Sequence, residues 1–213
     1  MDQAIPRKEI LMKKKEKAEK RMSRTARIIR GCTAPPFCAL VMLLILFFFK
    51  PGFYHSASNF GFAIAYLFFL PVLAYPLSLV FKFPKDSFRN NQRKLAVIFS
   101  VIGYVALLST VLNNGFTSGE LVIYLNYVIS GVLIAITTPI PHCKASGHAC
   151  GVAGPIASLV YFVSPWYILP GAALLAAVFW SSLKLKRHTL PQLIAGSLIS
   201  MLVIIVAGAM QVI

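Results

Sequence analysis

Carboxylates are nearly absent from this chain. Its 213 residues include six Asp and Glu, and beyond Asp2, Glu9, Glu16 and Glu19 only Asp86 and Glu120 remain. That scarcity excludes aspartate-rich magnesium sites and hydrolysis by a carboxylate pair, since each needs several acidic side chains at one place. Cysteine is also sparse: Cys32, Cys38, Cys143 and Cys150 do not make a disulfide framework, and the first two are expected to pack as small apolar side chains. The ten-residue alternating segments of a membrane β-barrel are missing. No small-residue cleavage site follows the first apolar run, so the N-terminus is expected to be retained rather than processed as a signal peptide. There is no convincing repeat. Polar residues near the middle of the apolar stretches are few, Asn126 among them, which counts against a transporter.

Apolar residues are abundant, at 58% of the chain with a mean hydropathy of +0.75. They come in blocks near the length of a bilayer-crossing helix: 32–49, 57–81, 95–112, 121–140, 149–163, 166–183 and 190–213. The fifth is short and contains Gly151, Gly154 and Pro155. The pattern predicts an all-α fold, a polytopic membrane helix bundle of about six to seven transmembrane helices with a basic N-terminal leader. Residues 1–30 form that leader, helical or disordered, and 31–213 form one membrane domain. Pro35-Pro36 opens the first span and Pro51-Gly52 closes it, Pro71 and Pro76 interrupt the second, and Pro139 and Pro141 stop the fourth. Most aromatic residues read as lipid-facing or interfacial anchors.

The net charge of +15 is unevenly spread, with eleven of the 21 Lys and Arg in the first 30 residues. A nucleic-acid arm is one reading of such a run. A solvated helix near anionic headgroups is the favoured one, because the run leads straight into a span; no nucleic-acid partner is expected. Nine of the remaining ten cations fall in three loops: Lys82, Lys85, Arg89, Arg93 and Lys94; Lys144; and Lys184, Lys186 and Arg187. Seven spans from a cytoplasmic N-terminus put all three loops on the cytoplasmic face, as the positive-inside rule asks. If 32–49 does not span, that face becomes extracytoplasmic.

Two histidines occupy polar breaks beside lysines, each just ahead of a new apolar run: Lys144-Ala145-Ser146-Gly147-His148 and Lys184-Leu185-Lys186-Arg187-His188. In the first, Ser146 is suited to cap a helix, Gly147 lets a ligand approach the backbone, and free N–H groups at a helix N-terminus attract phosphate. The bland reading is a capped helix with an interfacial histidine. The second has an equally bland reading as a basic flank of a span. Together they offer a nucleophile, a general acid and positive charge, which suffices for phosphate-ester hydrolysis with no metal or other cofactor.

At these residues the chain resembles the type 2 phosphatidic acid phosphatases, integral membrane enzymes that share a helical core with vanadium haloperoxidases and bacterial acid phosphatases. Their signature is K-x6-R-P, P-S-G-H and S-R-x5-H-x3-D. Ala145-Ser146-Gly147-His148 resembles the second motif, and Ser181 through Gln192 resembles the third, over roughly residues 80–200. The resemblance implies an enzyme, a phosphoric ester or diphosphate hydrolase working through a phosphohistidine. It gives His188 as the nucleophile and His148 as the acid on the leaving oxygen, with Ser146, the Gly147 N–H, Lys144 and Lys184 on the phosphoryl group. Three departures stand out. Ser182 occupies the third-motif arginine position. Gln192 replaces the aspartate that orients the nucleophile; in triad enzymes an amide there costs about four orders of magnitude. In the first motif, Lys82 and Arg89 keep the spacing, but Asn90 replaces the proline, and Arg93 is a spare cation. Asp86 is a candidate to supply the missing orienting carboxylate, or simply an ion-pair partner of Lys82, Lys85 or Arg89.

A rival reading uses His142, Cys143, His148 and Cys150 as zinc ligands, but no CxxC or HxxxH spacing supports it, and no metal is expected. His55 reads as interfacial. The sequence therefore points to a membrane lipid phosphatase acting on a phospholipid or polyprenyl phosphate. The alternative is a weakened or inactive relative that binds phospholipid headgroups, and a small transporter or scaffold ranks third.

Overall fold

Proline makes the first break in the architecture. Residue Ala34 lies extended at φ −59°, ψ 139°, as a residue ahead of proline must. On either side of it stand α1 (Arg7–Cys32) and α2 (Pro35–Phe49), bent by 49° between Glu19–Cys32 and Pro35–Phe49. Pro35 begins α2 at no cost, because a first-turn residue has no helical acceptor for its N–H. The computed structural model describes residues 7–80, 88–137 and 144–210, with side chains from Glu19 onward except at 89, 90 and 93.

Every regular element among the described residues is helical. After the Pro51-Gly52 turn, where Gly52 takes φ 76°, α3 (Ala57–Ile64), a π-helical segment (Ala65–Phe69) and α4 (Leu70–Val80) run as one 24-residue rod. The π turn lies just ahead of Pro71, where proline removes a backbone donor and the ladder must shift. The remaining elements are α5 (Phe88–Asn114), α6 (Ser118–Thr137), α7 (Gly147–Phe162), a 3₁₀ turn (Pro165–Tyr167), α8 (Ile168–Lys184) and α9 (Leu190–Ala209).

This is a multi-pass helical membrane bundle. Among the described residues, five stretches are long and apolar enough to cross a bilayer: Ala57–Val80, Lys94–Asn114, Ser118–Thr137, Pro165–Lys184 and Leu190–Ala209. The bent pair of α1 and α2 passes the same test only when taken together, as a broken span or a re-entrant loop, so the spans number five, or up to six with that pair counted as one. The expected first span at 32–49 is therefore resolved into a break and the 15-residue α2. The expected fifth span is α7, whose 16 residues reach about 24 Å, short of the roughly 30 Å hydrocarbon core.

Helix α7 is short because it is the internal post of the bundle, packed by α2, α6, α8 and α9, with α9 closest along its length. Small residues permit that approach. A Cβ on Gly151 would lie 2.6 Å from the Pro35 ring, and one on Gly154 would lie 2.9 Å from Asn126 Nδ2. A second apolar core joins α2, α3 and the π segment to α5 and α6 through Met42, Leu43, Leu46, Leu67, Leu107 and Tyr124.

The bundle has two chemically different ends. At one, the 50–56 loop, the 115–117 turn and the C-terminus of α7 converge: Thr117 Oγ1 donates to the Phe53 carbonyl at 2.6 Å, Asn59 Nδ2 donates to the Gly115 carbonyl at 2.9 Å, and the Phe53 and Phe162 rings lie 5.3 Å apart. Glu120 is fully buried there, its Oε2 accepting from the His55 and Thr117 N–H groups at 3.0 and 2.7 Å. The other end carries the N-termini of α7 and α9, the C-terminus of α8 and the α1–α2 break.

Candidate active site

Both histidine segments are fixed by local backbone chemistry. Ser146 is extended, at φ −86°, ψ 106°, and its buried Oγ accepts the Ala149 N–H at 3.3 Å, capping α7. Gly147 and His148 therefore form the first helical turn. The other segment is clamped from two sides. Helix α8 closes with the Arg187 N–H donating to the Ser182 carbonyl and the Lys186 N–H to the Leu183 carbonyl, both at 3.0 Å. That is a Schellman closure with Lys186, at φ 50°, where glycine usually stands. Two residues later Thr189 opens α9, its N–H donating to Gln192 Oε1 at 3.3 Å. His188 lies between these two caps and is 7% exposed.

The segments are joined directly. The Ser146 N–H donates to the Gln192 carbonyl at 2.8 Å. Behind that bond Gly196 passes so close to Ser146 that a Cβ would overlap the Ser146 carbonyl oxygen and lie 2.9 Å from its nitrogen. Deeper in, Ser200 Oγ donates to the Cys150 carbonyl at 3.0 Å. Helices α7 and α9 thus begin side by side at the same end, and two helix N-termini direct positive partial charge toward one place.

The contacts also define the proton positions on the rings. Gln192 Oε1 accepts from the Thr189 N–H, so the atom facing His188 Nδ1 at 3.2 Å is an acceptor and Nδ1 carries a proton. The Nε2 lone pair is then the nucleophilic position. On His148, Nε2 is 3.2 Å from Thr33 Oγ1. The Thr33 hydroxyl gives its own hydrogen to the Ile29 carbonyl at 2.8 Å, so it accepts from His148 and Nε2 carries the proton.

Of the residues singled out in the sequence, Ser146, Gly147, His148, His188 and Gln192 stand in this cluster. Lys184 is half-buried in the last turn of α8, and Lys144 is half-buried two residues ahead of Ser146. Arg89 and Arg93 belong to the first turns of α5, and their side chains lie outside the described residues, as do Lys82 and Asp86 entirely. Of the rival zinc set, His142 and Cys143 lie outside the described residues too, and Cys150 is buried in α7. Among the described residues no group of three or more His, Cys, Asp and Glu gathers.

Two residues at the cluster were missed by the sequence reading, and both come from α1 and its exit. Arg30 Nη1 donates to Ser182 Oγ at 2.7 Å, and Thr33 holds His148. With the fully buried Ala26 they fall at spacings of four and three, one stripe of a helix, on the helix that packs along α8. That stripe was the available signal inside an otherwise charged run. No family model, curated protein or solved structure matches this chain.

Proposed function

We propose that the protein is an integral membrane lipid phosphatase that transfers a phosphoryl group from a lipid phosphate or diphosphate to His188 and then to water. The observation that carries this reading is the Ser146–Gln192 backbone hydrogen bond at 2.8 Å, which locks the two histidine segments together at one end of the bundle. His188 Nε2 attacks phosphorus and a P–N bond forms. The P–O bond to the lipid breaks with its electron pair on the leaving oxygen, and that oxygen takes the Nδ1 proton of His148 in its imidazolium form, while Thr33 keeps hold of the Nε2 proton. Water then attacks phosphorus and gives its proton to His148. The P–N bond breaks, phosphate leaves, and both rings return to their starting states. Gln192 keeps Nδ1 protonated throughout, while the paired helix N-termini, Ser146, the Gly147 N–H, Lys144 and Lys184 oppose the charge on the phosphoryl oxygens.

The lipid nature of the substrate has separate support. A groove of about 620 Å³ between α6 and α9 is lined by apolar side chains, including Leu125, Ile129, Leu133, Ile199 and Leu202. Ile199 lies nine residues into the helix whose N-terminus adjoins His188, roughly 14 Å along the axis, so a tail can lie there with its headgroup at the histidines. Phosphatidic acid, phosphatidylglycerol phosphate and polyprenyl diphosphate all fit that description. We assign the histidine end, with its cationic loops, to the cytoplasmic side, which suits the first two best.

The test is phosphate release from each lipid in detergent with chelator present. Turnover that persists with chelator and is lost in His188→Ala supports the reading, together with an acid-labile phosphoenzyme in the wild type only. Gln192 at the position of a carboxylate favours one second reading, a headgroup-binding relative. It would bind the same lipids with no turnover.

A further inference from the structure

The mechanism above leaves α1 without a role, yet that helix reaches both histidine segments. Arg30 stands in its last turn, half-buried, with Nη1 2.7 Å from Ser182 Oγ. Ser182 is fully buried, and its carbonyl accepts the Arg187 N–H in the turn that delivers His188. Three residues after Arg30, Thr33 holds His148 Nε2 at 3.2 Å. One short stretch of chain thus puts a guanidinium beside the nucleophile's segment and a hydroxyl on the acid. Guanidinium is the side chain best matched to phosphoryl oxygens, because its planar fork gives two parallel N–H···O bonds that an ammonium cannot. The other described cations at this end on α8, its turn and the 144–146 segment are Lys144, Lys184, Lys186 and Arg187, and the last two point outward as exposed residues.

We propose that Arg30 is a phosphate-binding residue of the active site and Thr33 a positioning residue for His148, so that the N-terminal helix is a wall of the site. This assignment rests on the phosphatase reading for its catalytic part. Its anion-binding part is separable: docking of α1 on α8 puts a fork donor at the site whether or not turnover follows.

The experiment uses the full-length protein in detergent, with phosphatidic acid turnover and stabilisation by orthovanadate as independent readouts. Arg30→Ala is expected to lower kcat/KM by about 10²–10³-fold and to abolish the vanadate-induced rise in melting temperature. Arg30→Lys keeps an aliphatic stem along α8 and a charge but not the fork, and should lie between. The double variant Arg30→Ala/Ser182→Arg returns a guanidinium from the other side of the same contact and should recover at least tenfold over Arg30→Ala. Thr33→Val should lower kcat with KM unchanged, and Thr33→Ser should restore it.

Unchanged kcat/KM and an unchanged vanadate effect in Arg30→Lys and Arg30→Ala would overturn the proposal. So would a folded double variant no better than Arg30→Ala, because Arg30 would then be only a brace. A wild type with no turnover but an Arg30-dependent vanadate effect would sink the phosphatase reading and keep Arg30 as the anion grip. A wild type with neither turnover nor a vanadate effect would overturn both.

Discussion

On the phosphatase reading, Gln192→Glu should raise turnover. Gln192 Oε1 accepts the Thr189 N–H at 3.3 Å and faces His188 Nδ1 at 3.2 Å. Glutamate has the same reach and keeps both bonds, and its charge is favourable in the first turn of α9. The gain comes from the positive charge that develops on His188 as it attacks. A bond to a charged acceptor contributes about 1.5–3 kcal/mol against about 0.5–1.5 for a neutral one, and each 1.36 kcal/mol is tenfold in rate, so kcat should rise by roughly tenfold. The four orders of magnitude seen for an amide in triad enzymes reflect a wrong tautomer. Here the Thr189 N–H already turns the amide oxygen toward the ring, and that part of the penalty is absent. The assay is initial phosphate release from phosphatidic acid micelles at saturating substrate, alongside a melting curve. A kcat that is unchanged or lower in a Gln192→Glu protein of normal melting temperature would refute the reasoning. Gln192→Leu, which strands both donors, should lose about 1–3 kcal/mol of the same effect.

Three further outcomes follow from the geometry. In Gly196→Ala the new methyl meets the Ser146 backbone, and overpacking of this kind costs about 1–3 kcal/mol; melting should fall, and turnover should fall further because the histidine segments separate, whereas wild-type turnover would contradict the close approach. Lys186→Gly relieves a left-handed residue and should raise stability by about 1 kcal/mol, read as a higher melting temperature, with a fall counting against the Schellman closure. Glu120→Ala leaves the His55 and Thr117 N–H groups without their acceptor and should cost about 2–3 kcal/mol, while kcat per folded molecule stays within about twofold because the site is at the opposite end.

The features legible in the sequence are those carried by local rules. A serine ahead of glycine and an apolar run caps α7, and a threonine three residues before Gln192 opens α9, so both histidines are placed by signals within a few positions of themselves. The shortness of α7 was foreshadowed by Gly151, Gly154 and Pro155, which suit close packing inside a bundle better than a lipid face. Thr117-x-x-Glu120 is also a readable capping box, and it explains the one buried carboxylate at the far end. What could not be read were contacts between distant segments. Arg30 and Ser182 are 152 residues apart, and Thr33 and His148 are 115 apart, and only the docking of α1 on α8 brings them together. The run 1–30 read as a solvated leader because its average composition is charged. Averaging hides a stripe of Ala26, Arg30 and Thr33 in which only every third or fourth residue turns inward.

The scarcity of carboxylates and the two-ended bundle are one design. Among the described residues after α1, Glu120 is the only carboxylate, and two backbone N–H groups tie it to the end away from the histidines. A carboxylate near the caps of α7 and α9 would compete with any bound phosphate for the same N–H groups and cations, and in a partly desolvated site that competition is strong. On the phosphatase reading, orienting His188 with an uncharged amide avoids placing such a competitor beside the phosphoryl group, at the loss of the charge that would speed the attack. The arrangement thus exchanges rate for anion affinity. On this argument Gln192→Glu should raise kcat and KM together, and a faster variant with unchanged or lower KM would show that the carboxylate does not compete with phosphate there.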